Sequence, residues 1–283
     1  MIPGFLRRWS QAFGLNQTRC AHCLRPFSPL ETASGADTAT GTAGDSLRHP
    51  PDDGPAGVAA PLCPECRLLF QSYNGPRCPR CGLPPVEIGT EKQTADAPPR
   101  PGPLSRCGQC LQEDPPWSGQ ACYGLYRGAL RDALLRLKFG GELSLAPLLG
   151  ACLLEASRCL PRPDALLAVP QHPAHLRRRG FNQAHELAKA LHRLTALPLR
   201  PALLRRVKPA PPQAGLAAAQ RRRNVRRAFQ AAPDAANLCL WLIDDVMTTG
   251  NTLAEACRAL HAAGTRETHV LFVARTPRRD WGR

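Results

Sequence analysis

The stretch Leu240-Trp241-Leu242-Ile243-Asp244-Asp245-Val246-Met247-Thr248-Thr249-Gly250-Asn251-Thr252-Leu253 decides how the rest of the chain is read. It continues the apolar run 239–243 (CLWLI), which has the composition of a central strand in a parallel sheet, buried on both faces. Two carboxylates end that run, and a polar loop leads into a helix near Thr252. Ligands of open α/β sheets bind outside the carboxyl ends of the strands, which is where this loop stands. Thr248, Thr249, Gly250, Asn251 and Thr252 offer backbone N–H groups and hydroxyls at a helix start, an arrangement that suits phosphate. Gly250 lets the backbone approach the anion with no Cβ in the way. Asp244 and Asp245 would repel a phosphate, but they suit a sugar diol or a magnesium ion beside it.

The flanking segments supply the rest of a sheet. Residues 121–126 (ACYGLY) read as a strand, and 127–139 place Leu130, Leu134 and Leu137 at helical spacing with Arg131 and Lys138 on the other face. A helix over about 143–157 and a buried-type strand at 165–169, stopped by Pro170, come next. A helix at 183–194 carries the stripe Ala184, Leu187, Ala188 and Leu191. After the central strand come a helix at 252–262, Gly264 as its stop, and a strand at 268–274. Strand, helix and strand in this order form βαβ units, so the fold class is α/β with an open, mostly parallel sheet.

Upstream the chain changes character. Eight of its 13 cysteines form the pairs Cys20/Cys23, Cys63/Cys66, Cys78/Cys81 and Cys107/Cys110. Two residues between thiolates let one tight turn aim both sulfurs at one ion, and two pairs complete a tetrahedral site. Four pairs suit two structural zinc ions better than redox dithiols or disulfides. Sequential and crossed pairing both remain open. Four thiolates leave no position for water, so neither site is catalytic. Cys122, Cys152, Cys159, Cys239 and Cys257 lie singly among apolar residues and read as core. Residues 31–61 hold almost no large apolar side chain and read as a disordered insertion, with a shorter loop of the same kind at 86–105. This divides the chain into a cysteine-rich double zinc ribbon at 16–118 and an α/β domain at 119–276.

The formal charge of +15 lies in the second of these regions. Residues 1–118 balance 11 basic against 11 acidic side chains, whereas 119–283 hold 26 against 11. Within 205–227 stand eight basic residues and no acid, flanking a Pro-rich segment unsuited to regular structure. A confined excess of this sign points to a polyanionic partner, either nucleic acid or a phosphorylated ligand. Aromatic residues make up only 5% of the chain, so any single-strand binding would rest on charge rather than base stacking, with weak sequence preference and strong salt dependence. Arg177, Arg178 and Arg179 supply forked donors for phosphate oxygens after the strand at 165–169. Asn182 either bonds a phosphate or caps the next helix. No secretory signal and no membrane span is visible, and a cytoplasmic protein without membrane insertion is expected.

The stretch 240–253 resembles the motif by which type I phosphoribosyltransferases bind phosphoribosyl pyrophosphate. Other runs resemble the ComF family, which includes GntX-like proteins: Val169-Pro170, His172-Pro173, Arg177-Arg178-Arg179-Gly180-Phe181-Asn182-Gln183, Pro211-Pro212-Gln213-Ala214-Gly215-Leu216 and Arg221 to Phe229. The resemblance covers nearly the whole chain and departs from the family in the long insertion at about 24–62. It implies a type I phosphoribosyltransferase-like domain behind the zinc module. In that domain Asp244 and Asp245 hold the ribose hydroxyls, 248–252 wrap the 5-phosphate, and Arg177, Arg178 and Arg179 face a magnesium-bound pyrophosphate, with Arg179, Asp244 and Asp245 acting in catalysis. It places 205–227 where type I enzymes carry a mobile lid. No acceptor and no general base stands out, and His172, His175 and His185 read equally well as surface residues. The family resemblance also implies a second role: a non-catalytic accessory protein of competence and DNA uptake, handling single-stranded DNA with a helicase-like partner.

Overall fold

The central apolar runs form strands because only full burial on both faces removes so much apolar surface from water. The computed structural model describes residues 18–27, 61–85, 106–208 and 226–277. The chain divides into two compact units, Met1–Gln71 and Ser72–Arg283. In the first, β1 (Thr18–Arg19) pairs antiparallel with β2 (Pro26–Phe27), and α1 (Pro64–Leu69) follows. The second begins with α2 (Gly108–Gln112), β3 (Gly119–Leu125), α3 (Gly128–Gly140), α4 (Ala146–Ser157), β4 (Ala165–Ala168), α5 (Pro173–Arg179) and α6 (Gln183–Thr195). It continues with β5 (Leu204–Arg206), β6 (Phe229–Ala231), β7 (Cys239–Met247), α7 (Asn251–Ala262) and β8 (Glu267–Arg275).

The main sheet has the order β3-β8-β7-β4, with every neighbouring pair parallel. The two inner strands, β7 and β8, are buried along almost their whole length. Separately, β5 and β6 form an antiparallel pair, with Arg205 opposite Gln230. The expected α/β class and its parallel sheet are therefore present. On one side of the sheet, α4 packs against α6 so closely that a Cβ on Gly150 would lie 2.6 Å from the Ala190 Cβ.

Four local features differ from the sequence reading. β7 runs through both aspartates to Met247, because β8 continues alongside it to Arg275. Residues 173–179, read as part of a loop, form a helix. Pro173 starts it, the His172 ring nitrogen Nδ1 accepts from the Ala174 N–H at 3.2 Å, and Gly180 ends it at φ 84°. Cys159 is exposed rather than in the core. The boundary between the compact units falls between Gln71 and Ser72, so the second cysteine cluster shares a unit with the parallel sheet, although composition had grouped it with the first. Nearly all of the 31–61 insertion, the 86–105 loop and the 209–225 part of the basic segment lie outside the described residues.

The α4–α6 contact gives a test of the packing. Replacing a mid-helix glycine by alanine normally gains about 0.5–1 kcal/mol. At Gly150 the new methyl has no room, so Gly150→Ala should instead destabilise the domain by about 1–3 kcal/mol, the usual cost of overpacking. Ala190→Gly in the same chain should return part of that loss in a urea-unfolding double-mutant cycle. A stabilised Gly150→Ala protein would mean that the helices are not in this contact.

Candidate functional site

Three helices converge on the end of β7. Asp245 is buried, and its Oδ2 lies 3.5 Å from Lys138 Nζ at the end of α3. The same oxygen accepts from Gln183 Nε2 at 3.4 Å, at the start of α6. Gln183 Oε1 in turn accepts from Arg179 Nη1 at 3.1 Å, at the end of α5. Arg179 also stacks its guanidinium over the ring of Phe139, 5.6 Å from the centroid. Asp244 is half-buried, and its Oδ1 accepts from the Asp245 N–H at 2.9 Å.

These surroundings separate the two carboxyls. Burial, together with the charge of Asp245, pushes the Asp244 carboxyl well above the usual carboxylate range. Burial acts the same way on Asp245, but the Lys138 ammonium and the hydrogen bond from Asp244 outweigh it and hold Asp245 below that range. Lys138 is raised in return, chiefly by Asp245. The pair thus offers one committed anion and one carboxyl inclined to keep its proton, which is how two adjacent carboxylates coexist away from bulk water.

The loop beyond them turns sharply at Gly250, whose φ of 78° falls in the left-handed region. A Cβ there would also stand 3.3 Å from Cη2 of Trp117. Thr249 Oγ1 accepts from the Asn251 N–H at 3.5 Å, and the first bond of α7 runs from the Ala254 N–H to the Gly250 carbonyl at 2.9 Å. Amides ahead of that bond have no partner inside the helix and offer a donor-rich, dipole-positive end. Thr248 is exposed, while Thr249, Gly250, Asn251 and Thr252 are half-buried.

The remaining candidates divide. Arg179 reaches the Asp245 network, Arg177 is exposed, and Arg178 contributes its place on α5. Asn182 takes the capping alternative: its Oδ1 accepts from the Ala184 N–H at 3.1 Å, and its Nδ2 donates to the Val169 carbonyl at 3.0 Å. Arg206, at the root of the basic segment, is held below its usual range by burial, with Asp244 acting in the opposite sense. Its Nη2 is buried without a hydrogen-bond partner among the described residues. In the sequence Lys138 stands only as a polar-face residue, and Gln183 and Arg275 carry no signal of a role at this site. Lys138, at the end of an amphipathic helix leading into Gly140-Gly141, was the one available signal.

The cysteines gather as sequential pairs. Cys20, Cys23, Cys63 and Cys66 form one cluster, and Cys78, Cys81, Cys107 and Cys110 the other, the sulfurs of each lying within 4.8 Å of one another. Cys23 and Cys63 are 3.8 Å apart at sulfur, and Cys81 and Cys107 are 3.7 Å apart. A tetrahedron with zinc–sulfur bonds of about 2.3 Å has edges of about 3.8 Å, so both clusters fit that ion. Although burial disfavours their charge, backbone N–H groups lower Cys20 to about 6 and Cys78 to about 7. Burial raises Cys81 to about 11, with neighbouring thiolates adding to it. A dication relieves that repulsion. A smaller group, Cys239, Glu267 and His269, lies at the opposite ends of β7 and β8, where Glu267 pairs with the His269 ring at 3.0 Å.

The carboxyl pair makes stability depend on pH in a defined sense. Because the folded state raises the Asp244 pKa, that group's contribution to native stability falls as pH rises through the ordinary carboxylate range. It is fully lost above the folded value, while Asp245, held low, contributes in the opposite sense. Asp244→Asn should therefore raise the thermal midpoint at pH 8, and the gain should vanish below pH of about 4. A midpoint at pH 8 equal to or below that of the parent would contradict this electrostatic picture.

No family model matches the chain. Among solved structures it is similar to glutamine phosphoribosylpyrophosphate amidotransferase from B. subtilis, with 19% identity and TM-score 0.33 over 46% of this chain and 26% of that one. It is also similar to the protein TT1426 from Thermus thermophilus, with 19% identity and TM-score 0.31 over 49% and 86%. Sequence relatives carry the assignment instead. DNA utilization protein YhgH of Salmonella typhi is 32% identical over 222 residues, covering 76% of this chain and 90% of that protein. The Escherichia coli K12 protein of the same name is 31% identical over 205 residues, 70% and 84%. Competence protein F of Haemophilus influenzae is 32% identical over 223 residues, again 76% of this chain and 90% of the relative, and at that identity and coverage the chain belongs to the family of competence protein F and YhgH.

Proposed function

We propose that this protein is an accessory factor in DNA utilization that engages single-stranded DNA through its basic α/β domain. The observation that carries this reading is the relationship to competence protein F over 90% of that protein's length. Charge supports it: the whole excess of +15 lies in 119–283, and β5 and β6 bracket the segment with the densest basic residues. Among its described members, Arg205, Lys208, Arg226 and Arg227 are exposed or half-buried at the base of that segment. A strand lying there is held by its phosphates, with little reading of its bases. A helicase-like protein is the partner we assign, in keeping with the family resemblance.

A second reading concerns the end of β7, and the separated carboxyls beside the loop favour it. In it the site binds phosphoribosyl pyrophosphate, or a related 5-phosphorylated sugar, with magnesium. Asp244 and Asp245 take the ribose hydroxyls, the amides of 248–252 take the 5-phosphate, and Arg179 and Arg206 face the pyrophosphate. Magnesium bound with the ligand neutralises pyrophosphate charge. Lys138 and Gln183 keep Asp245 ionised and oriented. If transfer occurs, pyrophosphate leaves from the ribose carbon to which an acceptor nucleophile bonds.

The two readings are tested separately. Replacing Arg221, Arg222 and Arg223 by Ala should weaken single-stranded DNA binding across unrelated sequences. The slope of log affinity against log salt should become shallower by roughly 2, at about 0.7 per lost phosphate contact. An unchanged slope at every salt concentration removes this segment from the DNA role. For the sugar-phosphate site, Asp244→Asn should weaken calorimetric binding of phosphoribosyl pyrophosphate with magnesium by about 1–3 kcal/mol. Unaltered affinity would show that Asp244 does not hold the sugar.

A further inference from the structure

Two buried side chains join the cysteine cluster of the larger unit to the loop at the end of β7. Arg275, at the end of β8 and 1% exposed, donates through Nε to the Cys81 carbonyl at 2.9 Å. Its Nη1 donates to the Met247 carbonyl at 2.8 Å and to the Thr248 carbonyl. One planar guanidinium therefore grips a metal-ligand residue on one edge and two loop residues on another. Trp117 makes the second link. Its Nε1 donates to the carbonyl of Arg80, the residue before Cys81, at 2.6 Å. Arg80 answers with an Nη2 bond to the Trp117 carbonyl at 2.7 Å. The far edge of the same indole closes on Gly250, where a Cβ would lie only 3.3 Å from Cη2.

Arg80 ties the Cys78–Cys81 turn to Asp114 and to the carbonyls of Pro115, Trp117 and Ser118, whereas the stretch that carries Cys107 and Cys110 relies on a short helix. Helix α2 is five residues long, far below the length at which a helix persists unaided, and Cys110 is its buried residue. In such a segment ligand bonds to an ion supply the folding energy. We infer that metal held by Cys78, Cys81, Cys107 and Cys110 sets the conformation of the 247–250 loop, with Arg275 and Trp117 as positioning residues, so that the phosphate site is competent only when this cluster is loaded. The statement about the phosphate site rests on the sugar-phosphate reading above; the coupling of cluster to loop does not. Cys20, Cys23, Cys63 and Cys66 belong to the other compact unit.

Hydrogen exchange on the full-length chain tests the coupling without any ligand. Elemental analysis should find two zinc ions per chain in the parent, and one in Cys110→Ser and in Cys66→Ser. In Cys110→Ser, amides of the 247–254 peptide should exchange about tenfold faster or more, while those of α6 stay protected and report an intact domain. In Cys66→Ser the 247–254 peptide should keep its parental rate. Trp117→Phe should keep both zinc ions and yet speed exchange in the same peptide, which separates loop positioning from metal loss. Ribose 5-phosphate binding, measured by calorimetry, should fall at least about tenfold in Cys110→Ser and in Trp117→Phe. Parental exchange at 247–254 in Cys110→Ser, with one zinc ion lost and α6 protected, overturns the inference. If the parent binds no ribose 5-phosphate, the sugar-phosphate reading fails, and the exchange rates still decide the coupling.

Discussion

The guanidinium of Arg275 is the constraint on which the end of the larger unit around the β7–α7 loop depends. A charged group this buried persists only if its donors are satisfied, and here backbone carbonyls from two separate loops satisfy them. Those carbonyls need the arrangement as much as the arginine does. Met247 and Thr248 stand where β7 stops and α7 has not begun, so no regular element claims all their acceptors. Arg275 supplies donors that water would otherwise give, and so the chain can turn at Gly250 while staying packed under Trp117.

The carboxyl pair at the end of β7 carries an electrostatic cost. A core built for stability alone would not place Asp244 and Asp245 side by side at the end of a buried strand. Here the Lys138 ammonium stabilises one of them, and the other is left with a raised pKa. Such local frustration collects where a ligand later supplies the missing partner. A vicinal diol donates two hydrogen bonds to such a pair, and a magnesium ion offsets its charge. Asp244 also acts on the charge of Arg206, whose Nη2 has no hydrogen-bond partner among the described residues.

The family relationship and the site chemistry answer different questions. Relatedness to competence protein F and YhgH places the chain among proteins named for DNA use. The loop at the end of β7 bears on the proposed sugar-phosphate reading, and free nucleotides and nucleic-acid backbones both carry a phosphate and a sugar. The excess of basic residues in 119–283 suits either polyanion.

Local chemistry made much of this legible in the sequence. The strand at 165–169, the apolar run at 239–243 and the helices at 183–194 and 252–262 follow from apolar runs and stripes, which side-chain burial imposes residue by residue. The loop with two aspartates, two threonines and a glycine, and the spacing of each Cys-x-x-Cys pair, are likewise properties of adjacent residues. What adjacency does not encode is which distant segments meet. Sequential rather than crossed pairing of the cysteines, the helix at 173–179 and the capping role of Asn182 emerged only with the tertiary structure. So did the meeting of Lys138, Gln183 and Arg179 at Asp245, and the reach of Arg275 to Cys81 across 194 positions of chain. The order β3-β8-β7-β4 decides those meetings, because it brings the end of β8 beside the end of β7 and leaves the helix ends of α3, α5 and α6 to close around them. Periodicity is written in the side chains themselves, whereas partnership depends on how the whole sheet is ordered.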